Sequence, residues 1–364
     1  MILRIVKKMI KDIRSLQSSL PPHQEGVESP ICVNSGHWLW QAKIATGVVA
    51  VLECRSQTKR GGSKSGCFAL ALKELRFLLR TSIPSTHPDF HSRVEKAKHE
   101  VATLQQIELW RSENPNRFRH IISTYGFWEN KHYKSPTHQY YKQRFYTLQE
   151  AARGDLCDLM EKGYFQNSAH PQRAARQLLS IAHQSLEGLA ALHEHGVIHH
   201  DIKPDNLLYR KEGKSIQVFI ADMDLTDTLE TARQRLRQGL CGTPCMIDPE
   251  MAKMESLSAV NFLIDSWALG LSLVELSVGV HVPWMHSDSL ITVRNIRALN
   301  QSTVDSFVSR IPRYITDTEE GKQLIGIIRL LVRVKQSERK TPAEILTMVP
   351  AAGPSKPEGH CTLL

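Results

Sequence analysis

Twelve residues constrain this chain more than any others: Val197-Ile198-His199-His200-Asp201-Ile202-Lys203-Pro204-Asp205-Asn206-Leu207-Leu208. They follow the helix-patterned stretch Ala174–His195, which Gly196 terminates, so the segment is expected as a loop at a helix end. Asp201 is followed two residues later by Lys203 and five residues later by Asn206. That spacing suits phosphoryl transfer. A carboxylate can orient an attacking hydroxyl and take its proton, a lysine can offset charge on the moving group, and an amide oxygen can hold a metal ion. A polar turn after a helix would not require these three types at this spacing.

The surrounding pattern divides the chain in two. Apolar runs at Ile44–Leu52 and Cys67–Leu72 read as strands, with the Gly/Lys/Ser-rich loop Lys59–Gly66 between them. That loop lacks the Gly-x4-Gly-Lys-Ser/Thr spacing of a phosphate loop. A helix is expected around Val94–Ile107, and strands at Ile121–Phe127 and Phe145–Leu148. The Lys-, His- and Tyr-rich stretch from Glu129 to Gln143 reads as a solvated loop, with a docking surface as the alternative. Beyond Gly154 the pattern turns helical, over Ala174–His195, Asn261–Val278 and Gly321–Val334. A strand-rich first part and a helical second part predict an α+β chain of two lobes meeting near residue 150.

At this point the sequence resembles the protein kinase family, whose catalytic loop reads His-Arg-Asp-x4-Asn. The resemblance covers about residues 38–348, and further landmarks follow in the family's order. Asp222-Met223-Asp224 resembles the metal-binding Asp-Phe-Gly. Gly242-Thr243-Pro244 and Asp248-Pro249-Glu250 resemble the substrate-side loop and the closing Ala-Pro-Glu. Asp265-Ser266-Trp267-Ala268-Leu269-Gly270 matches Asp-x-Trp-x-x-Gly, and Arg339 stands where a kinase arginine pairs with Glu250. The resemblance implies a two-lobed kinase fold, with a β-rich N-lobe over about 38–149 and an α-helical C-lobe over about 150–348. It implies MgATP as the nucleotide and a protein hydroxyl as acceptor of the γ-phosphoryl group. Asp201 would be the base and Lys203 the phosphate-stabilising residue, with Asn206 and Asp222 as Mg2+ ligands. Ile44, Gly47, Leu52, Ala71, Lys73, Gln149 and Glu150 would line the nucleotide, and Glu100 would orient Lys73. Lys203 with Thr243 resembles the serine/threonine branch.

Four departures qualify the match. Ala45-Thr46-Gly47-Val48-Val49-Ala50 replaces Gly-x-Gly-x-x-Gly, which predicts a weaker grip on phosphates because alanine limits backbone approach. His200 replaces an arginine that commonly holds an activation-segment phosphate, and an imidazole cannot copy that charged fork. Activation is therefore expected to be independent of phosphorylation at Thr226, Thr228 or Thr231, although Arg233, Arg235 and Arg237 lie nearby. Met223 can fill the apolar slot of phenylalanine, whereas Asp224 adds negative charge beside a metal ligand. Asp248 replaces alanine and is expected to affect substrate fit. The transfer residues all survive, so an active kinase is the expectation. A nucleotide-binding or scaffolding pseudokinase is the alternative, and a small-molecule phosphotransferase a more remote one.

Composition narrows the partners. Apolar residues form 41% and charged residues 23% of 364, which is ordinary for a globular chain. The net charge of +9 favours acidic partners, yet no zipper, zinc-finger or RNP-type motif accompanies it, so no specific nucleic acid is expected. Seven scattered cysteines read as reduced thiols in a cytoplasmic protein. The start lacks the apolar core and cleavage site of a secretory signal, and Asn261–Gly279, interrupted by Asp265 and Glu275, reads as a buried helix rather than a membrane span.

Two segments flank the kinase-like region. Within residues 1–37, Ile2, Val6, Met9, Ile13, Leu16 and Leu20 fall on one face of a basic helix, followed by a polar linker. Packing on the domain, contact with a membrane or partner, and a mitochondrial presequence are its three readings. Residues 349–364 form a Pro/Gly-rich tail in which Cys361, fourth from the end, fits a prenylation pattern. Helix and lipid together would give a membrane-associated fraction.

Overall fold

The computed structural model describes residues 41–45, 49–54, 68–75, 88–133, 141–166, 168–213, 215–237, 239–253 and 255–349. The helix expected over residues 2–20, the loop at 59–66, Gly47 and Cys361 lie outside them. The described residues fall into two compact units, one within Met1–Ala97 and Ser123–Ala151, the other within Lys98–Ile122 and Ala152–Leu364.

The first unit is built on five antiparallel strands: β1 (Gln41–Ala45), β2 (Val49–Cys54), β3 (Phe68–Leu75), β4 (Thr124–Tyr133) and β5 (Tyr141–Glu150), in the order β1-β2-β3-β5-β4. Lys73 stands opposite Val49 on one side and Thr147 on the other, and Ala71 opposite Val51 and Gln149. The loop expected over Glu129–Gln143 is corrected: Glu129–Tyr133 pairs with Tyr141–Phe145 as a continuous antiparallel ladder. β4 is an edge strand, where charged and polar residues are tolerated and discourage further pairing. The polar composition thus marks an edge rather than a loop.

Helix α1 (Pro88–Glu113) contains the expected Val94–Ile107 and runs beyond it at both ends. In the second unit, β6 (Gly154–Asp155) leads into α2 (Leu156–Glu161), whose first turn Asp155 caps by accepting the Asp158 N–H. Helix α3 (Pro171–Glu194) buries Leu178, Ile181, Ala182, Leu186 and Leu189 at helical spacing. Short strands follow as β7 (Val197–Ile198), β8 (Leu207–Glu212), β9 (Ser215–Ile220) and β10 (Asp227–Thr228), then α4 (Leu229–Leu236) and α5 (Pro249–Lys253).

Helix α6 (Leu263–Val278) is buried at every position from Ile264 to Ser277. A helix enclosed on all sides is a core element. The remaining helices are α7 (Ser289–Arg297), α8 (Gln301–Val308), α9 (Arg313–Thr316), α10 (Glu319–Leu331) and α11 (Pro342–Met348). α3 packs on β9, α6, α9, α10 and α11. Gly270 permits the approach of α6 to the end of α10, because a Cβ there would lie 2.5 Å from Val332 Cγ1 and 2.7 Å from Leu331 Cβ. No helix among the described residues is long and apolar enough to cross a membrane.

Candidate active site

The loop after α3 is held from below by one buried carboxylate. Asp265, in the first turn of α6, accepts the backbone N–H of His199 at 2.8 Å and of His200 at 2.9 Å. Its Oδ2 also lies 2.9 Å from His193 Nε2 on α3. Burial alone would raise the Asp265 carboxyl, but the His193 hydrogen bond and the histidines around it outweigh burial and hold it below the usual range. With two backbone donors fixed on a core helix, the loop has little freedom.

That anchoring sustains strain. Among the described residues, only His200 (φ 69°) and Asp222 (φ 67°) are non-glycines in the left-handed region. Each such residue costs about 1–3 kcal/mol and tends to mark a functional site. His199, next to the anchored His200 and two residues before Asp201, is fixed at both ring nitrogens. Nδ1 accepts the Asp201 N–H at 3.2 Å, so Nε2 is the donor to the Ala221 carbonyl at 3.0 Å.

Asp201 is the centre of a closed polar cluster. Oδ1 accepts the Thr243 N–H at 2.9 Å and the Thr243 hydroxyl at 2.6 Å. Oδ2 accepts Asn206 Nδ2 at 2.9 Å and lies 2.9 Å from Lys203 Nζ. Lys203 Nζ also donates to Thr243 Oγ1 at 2.8 Å, so this hydroxyl accepts from the lysine and donates to the carboxylate. Burial would raise Asp201, but the Thr243 hydroxyl and Lys203 bring it below the ordinary carboxylate range, which keeps it ionised at neutral pH. Burial would lower Lys203, yet Asp201 raises it overall. Gly242 (φ 103°) makes the approach of Thr243 possible, because a Cβ there would sit 2.5 Å from the His200 carbonyl oxygen.

Asn206 donates both to the Asp201 carbonyl at 2.8 Å and to Oδ2, which commits its amide NH2 and leaves Oδ1 to serve a cation. Its own carbonyl accepts the Ala221 N–H at 3.0 Å, one residue before Asp222. Met223 is fully buried, as an apolar replacement for phenylalanine requires. Asp224, by contrast, is exposed.

Two expectations are corrected here. Thr226 is fully buried, with its hydroxyl on Met223 Sδ at 3.6 Å, so it is not a surface phosphosite. Thr228 and Thr231 are exposed and hydrogen-bond each other at 2.9 Å. Arg339 does not pair with Glu250. Its Nη1 pairs with Asp248 Oδ2, both side chains fully buried. Glu250 Oε1 instead accepts the Gln336 N–H at 2.8 Å. Asp248 Oδ1 meanwhile accepts the N–H groups of Glu250 and Met251, at 2.8 and 2.9 Å. Asp248 is thus a cap and a counter-charge rather than a substrate contact.

The sequence-predicted residues are distributed over both units. Asp201, Lys203, Asn206 and Thr243 form one hydrogen-bonded cluster in the second unit, which also holds Asp222 and the buried Glu100. Ile44 on β1, Leu52 on β2, Ala71 and Lys73 on β3, and Gln149 and Glu150 at the end of β5 belong to the sheet of the first. Gln149 is buried and donates to Thr124 Oγ1 at 3.4 Å, while the Glu150 N–H donates to the Ser123 carbonyl at 2.9 Å. Sequence reasoning missed His99, whose Nε2 lies 2.6 Å from the Thr226 carbonyl and 3.5 Å from Asp227. Its place just before Glu100 was the available signal.

The protein kinase domain model matches residues 90–349. Mouse Aurora kinase C is 28% identical over 287 residues, covering 79% of this chain and 87% of that protein. Mouse calcium/calmodulin-dependent protein kinase type IV is 35% identical over 125 residues, 34% of this chain and 24% of the relative. Germinal center kinase 3 of Caenorhabditis elegans is 29% identical over 174 residues, 46% and 28% of the two chains. The match therefore spans only about a quarter of the length of the latter two relatives. A family match over most of the chain, joined to a two-lobed α+β kinase fold, places it: the chain belongs to the protein kinase family.

Proposed function

We propose that the chain is an active serine/threonine kinase that transfers the γ-phosphoryl group of MgATP to protein hydroxyls. The observation that carries this reading is the closed Asp201–Lys203–Thr243 cluster, with an ionised carboxylate at its centre. Asp201 orients the acceptor hydroxyl and takes its proton as the new O–P bond forms and the bond to the ADP oxygen breaks. Lys203, held on both Asp201 and Thr243, offsets charge on the transferring group. Asn206 and Asp222 are the residues that would hold Mg2+, which when bound neutralises phosphate charge; the committed NH2 of Asn206 suits it to that role. In this reading Lys73 is the residue that would hold the α- and β-phosphates, and Gln149 and Glu150 those that would border the adenine.

The test offers labelled MgATP to the full chain with peptide pools that carry serine, threonine or tyrosine as the sole acceptor. Label on serine and threonine is expected. Label confined to tyrosine overturns the branch assignment, and nucleotide binding with no transfer in Mg2+ or Mn2+ makes the chain a scaffold. The same reading places a cytoplasmic kinase domain over 38–348, with a membrane-associated fraction held by the basic helix and Cys361. Unchanged membrane partitioning of Cys361→Ser would discard the lipid.

A further inference from the structure

Away from this centre, α2 and the segment after α6 bring three unlike metal-binding groups together. Cys157 and Glu161 stand one turn apart on α2, and His281 follows α6. The Cys157 sulfur, a Glu161 carboxylate oxygen and a His281 ring nitrogen all lie within 4.8 Å of one another. Behind them sits Glu275, whose side chain is fully buried. Its Oε1 accepts the Val282 N–H at 2.8 Å and lies 3.3 Å from His281 Nδ1. Its Oε2 is buried with no hydrogen-bond partner among the described residues.

An orphaned carboxylate oxygen in the core is unfavourable unless positive charge stands near it. Burial raises the Glu275 carboxyl, and the nearby Asp205 raises it further. Burial also pushes the Cys157 thiol up to about 12, with Asp205, Glu161, Asp155 and Glu275 adding to the rise. The carboxylates of Asp205, Glu161, Asp155 and Glu275 thus surround the cluster with negative charge.

We propose that Cys157, Glu161 and His281 form a Zn2+ site with one open position, in which Glu275 orients His281. Thiolate, imidazole and carboxylate together are a zinc-type donor set, and three protein ligands leave a fourth place for water. Calcium and magnesium prefer oxygen ligands throughout. A ligating histidine commonly gives its second N–H to a carboxylate. The Nδ1–H of His281 directed at Glu275 does so and leaves the Nε2 lone pair for the metal. On binding, the Cys157 thiol releases its proton to solvent as the Zn–S bond forms. The positive charge then compensates the carboxylates around it.

The experiment uses the full chain and Co2+ as a spectroscopic stand-in, followed by displacement with Zn2+. A thiolate-to-cobalt charge-transfer band is expected, and zinc should bleach it. The chain has seven cysteines and 17 histidines, so the band must be assigned by substitution. Cys157→Ser should abolish it, with the circular dichroism of the metal-free protein unchanged. Glu275→Gln should weaken zinc binding by about 10–100-fold, the range for a carboxylate behind a ligating histidine. His281→Gln, on an exposed side chain, should weaken it as well and guards against misfolding of the buried variant. Absence of the band, its persistence in Cys157→Ser, or zinc affinity unchanged in His281→Gln would overturn the proposal. None of these readouts depends on kinase activity.

Discussion

The Thr243 hydroxyl is shared between Asp201 and Lys203 of the proposed reaction centre, and its loss should be felt in turnover. A hydrogen bond to a charged group is worth about 1.5–3 kcal/mol. Thr243→Ala is therefore expected to lower kcat by about 10–100-fold with little change in nucleotide affinity, and Thr243→Ser to restore most of it. Steady-state kinetics on all three proteins would check this. Asp201 also carries a pH signature. Its folded pKa lies below its ordinary 3.8, so its contribution to stability is complete above that pH and is lost as pH falls through the folded value. Acid titrations monitored by fluorescence should show a shallower loss of stability in Asp201→Asn. At this scale Asp201, Lys203 and Asn206 were legible because their spacing lies within one loop. The double hydrogen bond of Thr243 was not, since it joins residues 40 and 42 positions apart.

Between elements, the largest departure from expectation is the ion pair that ties the start of α5 to the segment before α11. Asp248 and Arg339 are 91 residues apart and fully enclosed. Removing one member of a buried pair costs about 3–5 kcal/mol. Asp248→Ala, although it restores the family's usual residue, should destabilise the protein by that amount in denaturant unfolding. Combining it with Arg339→Met should recover a substantial part. The activation segment yields a second prediction at this scale. Thr228 and Thr231 are exposed at the start of α4, and His200 lacks the fork that would grip a phosphate there. The double variant Thr228→Ala, Thr231→Ala should therefore transfer phosphate at the wild-type rate, and abolished activity would show that phosphorylation is required. The long helices were readable from periodicity: Ala174–His195 was expected and α3 runs Pro171–Glu194. The inner parts of β4 and β5 were expected as strands, but the outer part of their hairpin, Glu129–Tyr133 with Tyr141–Gln143, was hidden because an edge strand can carry the same polar residues as a loop.

Across the whole molecule, the residues proposed for transfer belong to two units, Lys73 to the sheet of the first and Asp201, Asn206 and Asp222 to the helical second. The two-lobed organisation was legible because apolar periodicity changes from strand-like to helical near residue 150. The pairing Asp248–Arg339 was not, because it is a property of the packed core rather than of either local sequence. The central claim is that the altered loops leave a working reaction centre. The most direct measurement is the single-turnover rate of γ-phosphoryl transfer from MgATP to a basic protein, for wild type and Asp201→Asn at equal nucleotide occupancy. The account predicts measurable transfer in the wild type and a drop of about 10²–10⁴-fold in the variant. Equal rates in the two proteins, or no transfer by folded, nucleotide-loaded wild type, would contradict it.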